Sequence, residues 1–153
     1  MEKIRFNNKD GNSNVRSNIF VYHYLFSKMI KLKYFELSEF DSPDQENSGV
    51  NMDHTFLRML DKAREIAGIS FKINSGYRSE THNIKVGGVP RSETNRGSSH
   101  LYGFAADISC TNSNHREIIV RSLIQAGFTR LGVAKSFIHV DNDPNKVDAL
   151  WLY

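Results

Sequence analysis

Two histidines and an aspartate in this 153-residue chain have neighbours that could bring them together. His100 precedes Leu101-Tyr102-Gly103-Phe104-Ala105-Ala106-Asp107, in which Gly103 lets the chain turn and the small Ala105 and Ala106 let neighbouring elements come close. A histidine in the loop before a strand and a carboxylate on that strand can converge on one point. Phe137-Ile138-His139-Val140-Asp141 offers a third donor: strand alternation puts Phe137, His139 and Asp141 on one face and Ile138 and Val140 on the other. Two imidazoles and a carboxylate can hold a divalent ion such as zinc with a fourth tetrahedral position left for water. Zinc brings the pKa of such a water from about 15.7 towards 7 and polarises a carbonyl. Spacing alone carries little weight. Six histidines in a chain of this length put His and Asp at almost any separation, and a strand histidine such as His139 is often a hydrogen-bonded structural residue.

The elements that must position these side chains are readable in outline. Phe56, Leu57, Leu60, Ala63 and Ala67 recur at helical spacing, so a helix is predicted from about Asp53 to Ala67, capped by Asp53 or Asn51 and ended by Gly68. Phe71–Ser75 alternates like a half-buried strand, and a short polar helix follows around Glu80–Val86, halted by Gly87-Gly88-Val89-Pro90. Residues 91–99 read as a Ser/Arg/Gly-rich loop and Phe104–Ser109 as a strand. A second amphipathic helix runs from Asn114 to Ala126, ended by Gly127, and Thr129–Val133 and Ser136–Asp141 form two closely linked strands. The resulting expectation is an α+β fold, a small and mostly antiparallel sheet with flanking helices.

Residues 1–33 are expected to form an N-terminal extension, flexible or preceding the true start, to a domain spanning 34–153. Their first 28 residues hold five basic and two acidic side chains, which accounts for the formal net charge of +3; the remainder balances at fifteen of each sign. The pI near 9.0 is therefore no sign of a phosphate-gathering surface, and nucleic acid is not an expected partner. The single cysteine, Cys110, excludes an internal disulfide and a thiolate-rich zinc site, and is expected to be a buried inert thiol. No run approaches the roughly 18–20 apolar residues of a membrane span, and the apolar stretch from Ile19 to Ile30 lacks a small-residue cleavage site. The chain is expected to be a monomer, cytoplasmic until released by another route.

Several ordered blocks resemble a known family: Ser75-Gly76-Tyr77-Arg78-Ser79, His82-Asn83, Val86–Pro90, His100-x-x-Gly103-x-Ala105-Ala106-Asp107-Ile108 and Ser136–Asp141. Together with Phe35-x-Leu37-Ser38-Glu39-Phe40 upstream and Trp151 and Tyr153 downstream, they resemble the zinc D-Ala-D-Ala carboxypeptidases. Their relatives are VanX-type dipeptidases, phage L-alanyl-D-glutamate endopeptidases and the hedgehog zinc fold. The resemblance covers about residues 34–153 and implies a zinc peptidase acting on peptidoglycan stem peptides. Zinc would then be bound by His100, Asp107 and His139, with Arg78 facing the substrate as a carboxylate anchor or oxyanion stabiliser. Ser75 and Tyr77 are expected in the same pocket, a packed aromatic being the alternative for Tyr77. A phage or prophage lysis enzyme fits the size and the missing leader.

Two departures from the family pattern stand out. The loop from Arg91 to Ser99 is several residues longer than the usual link before the first zinc histidine. The position three before the last zinc histidine, acidic in many relatives, is Ser136, so Asp141 is the expected general base; the alternative is that Asp141 orients a zinc ligand or caps the following turn. The missing acid at 136 also keeps a second class open, a catalytically inactive zinc-stabilised binding module. His54 and His115 are expected near helix starts at the surface, and His82 to make structural hydrogen bonds.

Overall fold

The computed structural model describes residues 30–92 and 95–153. The reading of residues 1–33 as an extension falls almost entirely outside them; among the described four, Ile30 is buried in the core and the Lys33 N–H donates to Asp61.

Helix α1 (His54–Ala67) starts where Asp53 accepts from the Phe56 N–H at 2.8 Å and ends at Gly68. Its buried face is Phe56, Leu57, Leu60 and Ala63, the stripe seen in the sequence. Helix α2 (Glu80–Lys85) is capped by Ser79. Helix α3 (Ser113–Gln125) is capped by the Asn112 side chain and buries Ile119 and Leu123, which join α1 in one apolar cluster. The Phe56 and Phe128 rings meet edge-on at 5.5 Å inside it.

The sheet contains β1 (Ile73–Ser75), β2 (Ala105–Ser109), β3 (Arg130–Val133), β4 (Phe137–Asp141) and β5 (Ala149–Leu152), in the order β1-β2-β4-β3-β5. Every pairing is antiparallel except β3 with β5, which is parallel. The α+β expectation holds, with β5 as an element the sequence reading had not assigned. Alternation gives the sheet two unlike faces. Ala106, Ile108, Leu131, Ile138 and Val140 pack into the cluster with α1 and α3. The opposite face carries Asp107, His139 and Asp141.

Register does the positioning. Ser75, Asp107, His139, Gly132 and Trp151 are successive partners across all five strands and so form one row. Gly132 is required there: a Cβ on it would lie 2.6 Å from the Trp151 indole, so only a residue without one lets the ring lie against the sheet.

The segments leading to the site are held by short-range hydrogen bonds. Phe40, buried at the end of a 3-10 turn (Leu37–Phe40), accepts at its carbonyl from the Tyr77 N–H, and Asp44 accepts from the hydroxyls of Ser42 and Ser79. Gly103, at φ +74°, lies so close to Asn51 that a Cβ would stand 2.2 Å from the Asn51 carbonyl oxygen. It ends the 3-10 turn Ser99–Tyr102 and feeds β2, the turn expected from the sequence. Cys110 is buried as expected. Among the described residues no helix is long and apolar enough to cross a membrane.

Candidate metal centre

His100 lies in the turn Ser99–Tyr102, only 2% exposed, and its Nδ1 stands 2.7 Å from the Gly76 carbonyl oxygen. A carbonyl can only accept, so Nδ1 carries the proton and Nε2 presents a bare lone pair. Burial also pushes His100 below its usual pKa, outweighing the opposite pull of Asp107. That lone pair faces Asp107 Oδ1 at 3.5 Å. Two acceptors aimed at one another repel unless a cation stands between them.

His139 Nδ1 reaches the same Asp107 Oδ1 at 2.8 Å, and the three donor atoms all lie within 4.8 Å of one another. Atoms bound tetrahedrally at about 2.0–2.1 Å stand about 3.3 Å apart, so the separations of 3.5 and 2.8 Å bracket what a zinc site needs. The two imidazole rings meet edge-on with centroids 5.2 Å apart. Sequence reasoning thus named three residues that the fold brings to one point, from the turn before β2, from β2 and from β4.

Charged groups around this point are held in pairs. Burial alone would raise the Asp107 carboxyl, but the two imidazoles beside it, His100 and His139, hold it well below the usual carboxylate range. Its outer oxygen, Oδ2, accepts from Arg78 Nη2 at 2.5 Å, and Arg78 Nε donates to Ser75 Oγ at 2.8 Å. Arg78 is partly desolvated, which lowers its pKa, while Asp107 counters that shift. For His139, burial works against the charged form, yet hydrogen bonds to Asp107 and Asp141 raise its pKa in the metal-free chain.

Asp141 lies on the far side of the His139 ring. Its Oδ2 accepts from His139 Nε2 at 3.1 Å, while Oδ1 accepts from Arg130 Nε at 2.8 Å and from the Asp143 N–H at 3.2 Å. The carboxylate is 1% exposed, and burial would raise its pKa, but His139 and Arg130 together keep it below the ordinary value. Arg130 also donates to the Val147 carbonyl and lies 5.5 Å from the Trp151 ring, which in turn packs on the His139 imidazole at 5.4 Å.

A cleft of about 710 Å³ opens in front of the group, bordered by Arg78, Gly87, Gly97, Phe137, Lys146 and Tyr153 as well as by the donors themselves. Ser75 is not among the residues that border it and is hydrogen-bonded to Arg78; Tyr77 is packed against the core cluster. Ser136 is exposed, and His54, His82 and His115 do not border the cleft. Arg130 and Lys146 were not singled out from sequence. Arg130 could have been, because Arg130-Leu131-Gly132-Val133 alternates and shares its outward face with Gly132.

A family model described as Peptidase M15 matches residues 33–141. Comparison with curated proteins returned no match.

Proposed function

This chain belongs to the peptidase M15 family, and from that premise we propose that it is a zinc peptidase hydrolysing peptidoglycan stem peptides, at a D-Ala-D-Ala end or at an L-Ala-D-Glu bond. The observation that carries the reading is the convergence of the His100 Nε2 lone pair, Asp107 Oδ1 and His139 Nδ1 on one point beside an open cleft. Two nitrogen donors and one oxygen donor suit zinc, and three protein ligands leave the position a catalytic site requires.

Zinc, when bound, supplies an acidified water and a Lewis acid for the scissile carbonyl. The chain supplies orientation. The Gly76 carbonyl fixes the His100 tautomer, and Arg78 holds Asp107 through its outer oxygen, so that Oδ1 is turned to the ion. The guanidinium edge not engaged by Ser75 and Asp107 is left to receive a peptide carboxylate or the developing oxyanion. Ser75 serves by holding Arg78, and Tyr77 by packing beneath that loop.

Sequence leaves Asp141 open to two roles, and its contacts favour one. A carboxylate whose two oxygens are taken up by His139 Nε2, Arg130 Nε and the Asp143 N–H is poorly placed to collect the water's proton, whereas by accepting from His139 Nε2 it fixes which nitrogen faces the ion. Asp141 is accordingly a positioning residue. The domain is taken as residues 34–153, acting as a monomer on the wall after release, in a phage or prophage lysis setting.

Incubating the purified chain with muropeptides and weighing the products by mass spectrometry tests the proposal and names the bond. Products should form with zinc and disappear with a chelator and in His139→Ala. Stoichiometric zinc binding without any product would instead favour the inactive zinc-stabilised module, the reading to which an exposed Ser136 in place of an acid lends support.

A further inference from the structure

Among the described residues, three cations and two anions border the cleft: Arg78, Arg130 and Lys146 against Asp107 and Asp141. Arg78 is committed to Asp107 and Arg130 to Asp141. Lys146, on the segment joining β4 to β5, differs. Its Nζ donates to the Gly97 carbonyl at 3.2 Å and to Ser99 Oγ at 2.9 Å, both neutral acceptors, and no carboxylate among the described residues is in ionic contact with it. An ammonium has three donors, so one remains.

The neighbouring charges are occupied elsewhere. The Ser99 hydroxyl donates a hydrogen bond to Asp143 Oδ2 at 3.2 Å, and Arg96 Nε approaches the same carboxylate at 3.6 Å. The Arg96 guanidinium lies 3.8 Å from the Tyr102 ring centre, and Arg91 pairs with Glu80 at 2.5 Å. Gly87, Gly88 and Gly97 carry no side chain into that wall of the cleft. Among the described residues, a peptide lying along that wall meets Val86, Val89, Asn95, the three glycines and one ammonium without an ionic partner, in a cleft that a divalent ion would make more positive still.

We propose that Lys146 is a specificity-determining residue, receiving a carboxylate that the substrate carries beside its scissile bond, so that acidic peptides are taken over their amidated counterparts. This deepens the peptidase reading and rests on it. A hydrogen bond to a charged partner, lost when the carboxylate becomes a carboxamide, corresponds to roughly a 10–100-fold difference, seen mainly in KM.

The test uses the full chain with zinc and two stem peptides containing L-Ala-D-Glu, identical except that the glutamyl α-carboxyl is free in one and amidated in the other. Hydrolysis of each is followed by mass spectrometry, and binding of each to the zinc-loaded His139-intact chain at low temperature is measured by calorimetry. Wild type should prefer the free acid at least tenfold, less so at high salt. Lys146→Met should lose the preference, and Lys146→Arg should keep most of it. An equal loss on both peptides in Lys146→Met would make the lysine a tie for the Gly97–Ser99 wall only and overturn the proposal, as would a wild type indifferent to amidation. Failure of the peptidase reading is separable: neither peptide is then cut, while the calorimetric preference, present or absent, still decides the role of Lys146.

Discussion

Ile138 and His139 are adjacent residues on β4, yet they belong to different regions of the molecule. Ile138 points into the apolar cluster under α1 and α3, where any side chain of the right volume and shape would serve. His139 points to the opposite face, where its two ring nitrogens are each assigned to a carboxylate and its ring is walled by Trp151. The core face is tolerant in chemistry and demanding in volume; the site face is the reverse. One strand thus carries stability on one side and chemistry on the other, and substitutions should separate accordingly.

The largest expected effect is on the site face. His139→Ala should lower peptide hydrolysis by about a thousandfold or more and abolish stoichiometric zinc binding, because two remaining ligands cannot hold the ion in an open tetrahedral site. Activity assays and metal analysis on the same preparation check this; retained zinc would break the comparison. Ile138→Ala should do the opposite. Deleting this fully buried side chain should cost about 2–5 kcal/mol and lower the melting temperature by on the order of 10 °C, with zinc stoichiometry intact and kcat/KM per folded molecule within a few-fold.

Asp141→Asn sharpens the contrast between positioning and chemistry. As a positioning residue, Asp141 should lose about 10–100-fold in zinc affinity when altered, with much of the activity recovered at saturating zinc. A large fall in kcat at full zinc occupancy would return it to the role of base.

The smallest effect concerns protons. In the metal-free chain the raised pKa of His139 means that its protonated form stabilises the fold below the ordinary value of 6.5, a contribution lost as pH climbs through the raised value. The ion needs that proton gone from Nδ1. Zinc affinity should therefore weaken steadily on acidification, with proton release on binding measurable by calorimetry in buffers of different ionisation enthalpy.

Much of this was legible in the sequence because it is local. Asp53 and Gly68 mark the ends of α1 through cap chemistry, and Phe137–Asp141 announces its two faces by alternation. His100, Asp107 and His139 could be named because a resemblance joined what spacing alone left open. What remained hidden depends on register and distant pairing. That Gly132 and Trp151 fall in the same row as Asp107 and His139 follows only from how β3, β4 and β5 align. Strand β5 is short, lies beyond a proline turn and pairs in parallel with β3, so no neighbouring segment in the chain announces it. The Arg130–Asp141 contact is a cross-strand pair, invisible before β3 and β4 are set side by side.

The direct opposition of Asp107 and His139 across β2 and β4 has a consequence for how the molecule reaches its working form. If those two strands were offset by a single residue, one of the pair would turn towards the helices and the chelating cluster would vanish. Capture of an ion would then act as a proofreading step in folding: correctly threaded molecules are pinned, and misthreaded ones are left free to come apart and try again.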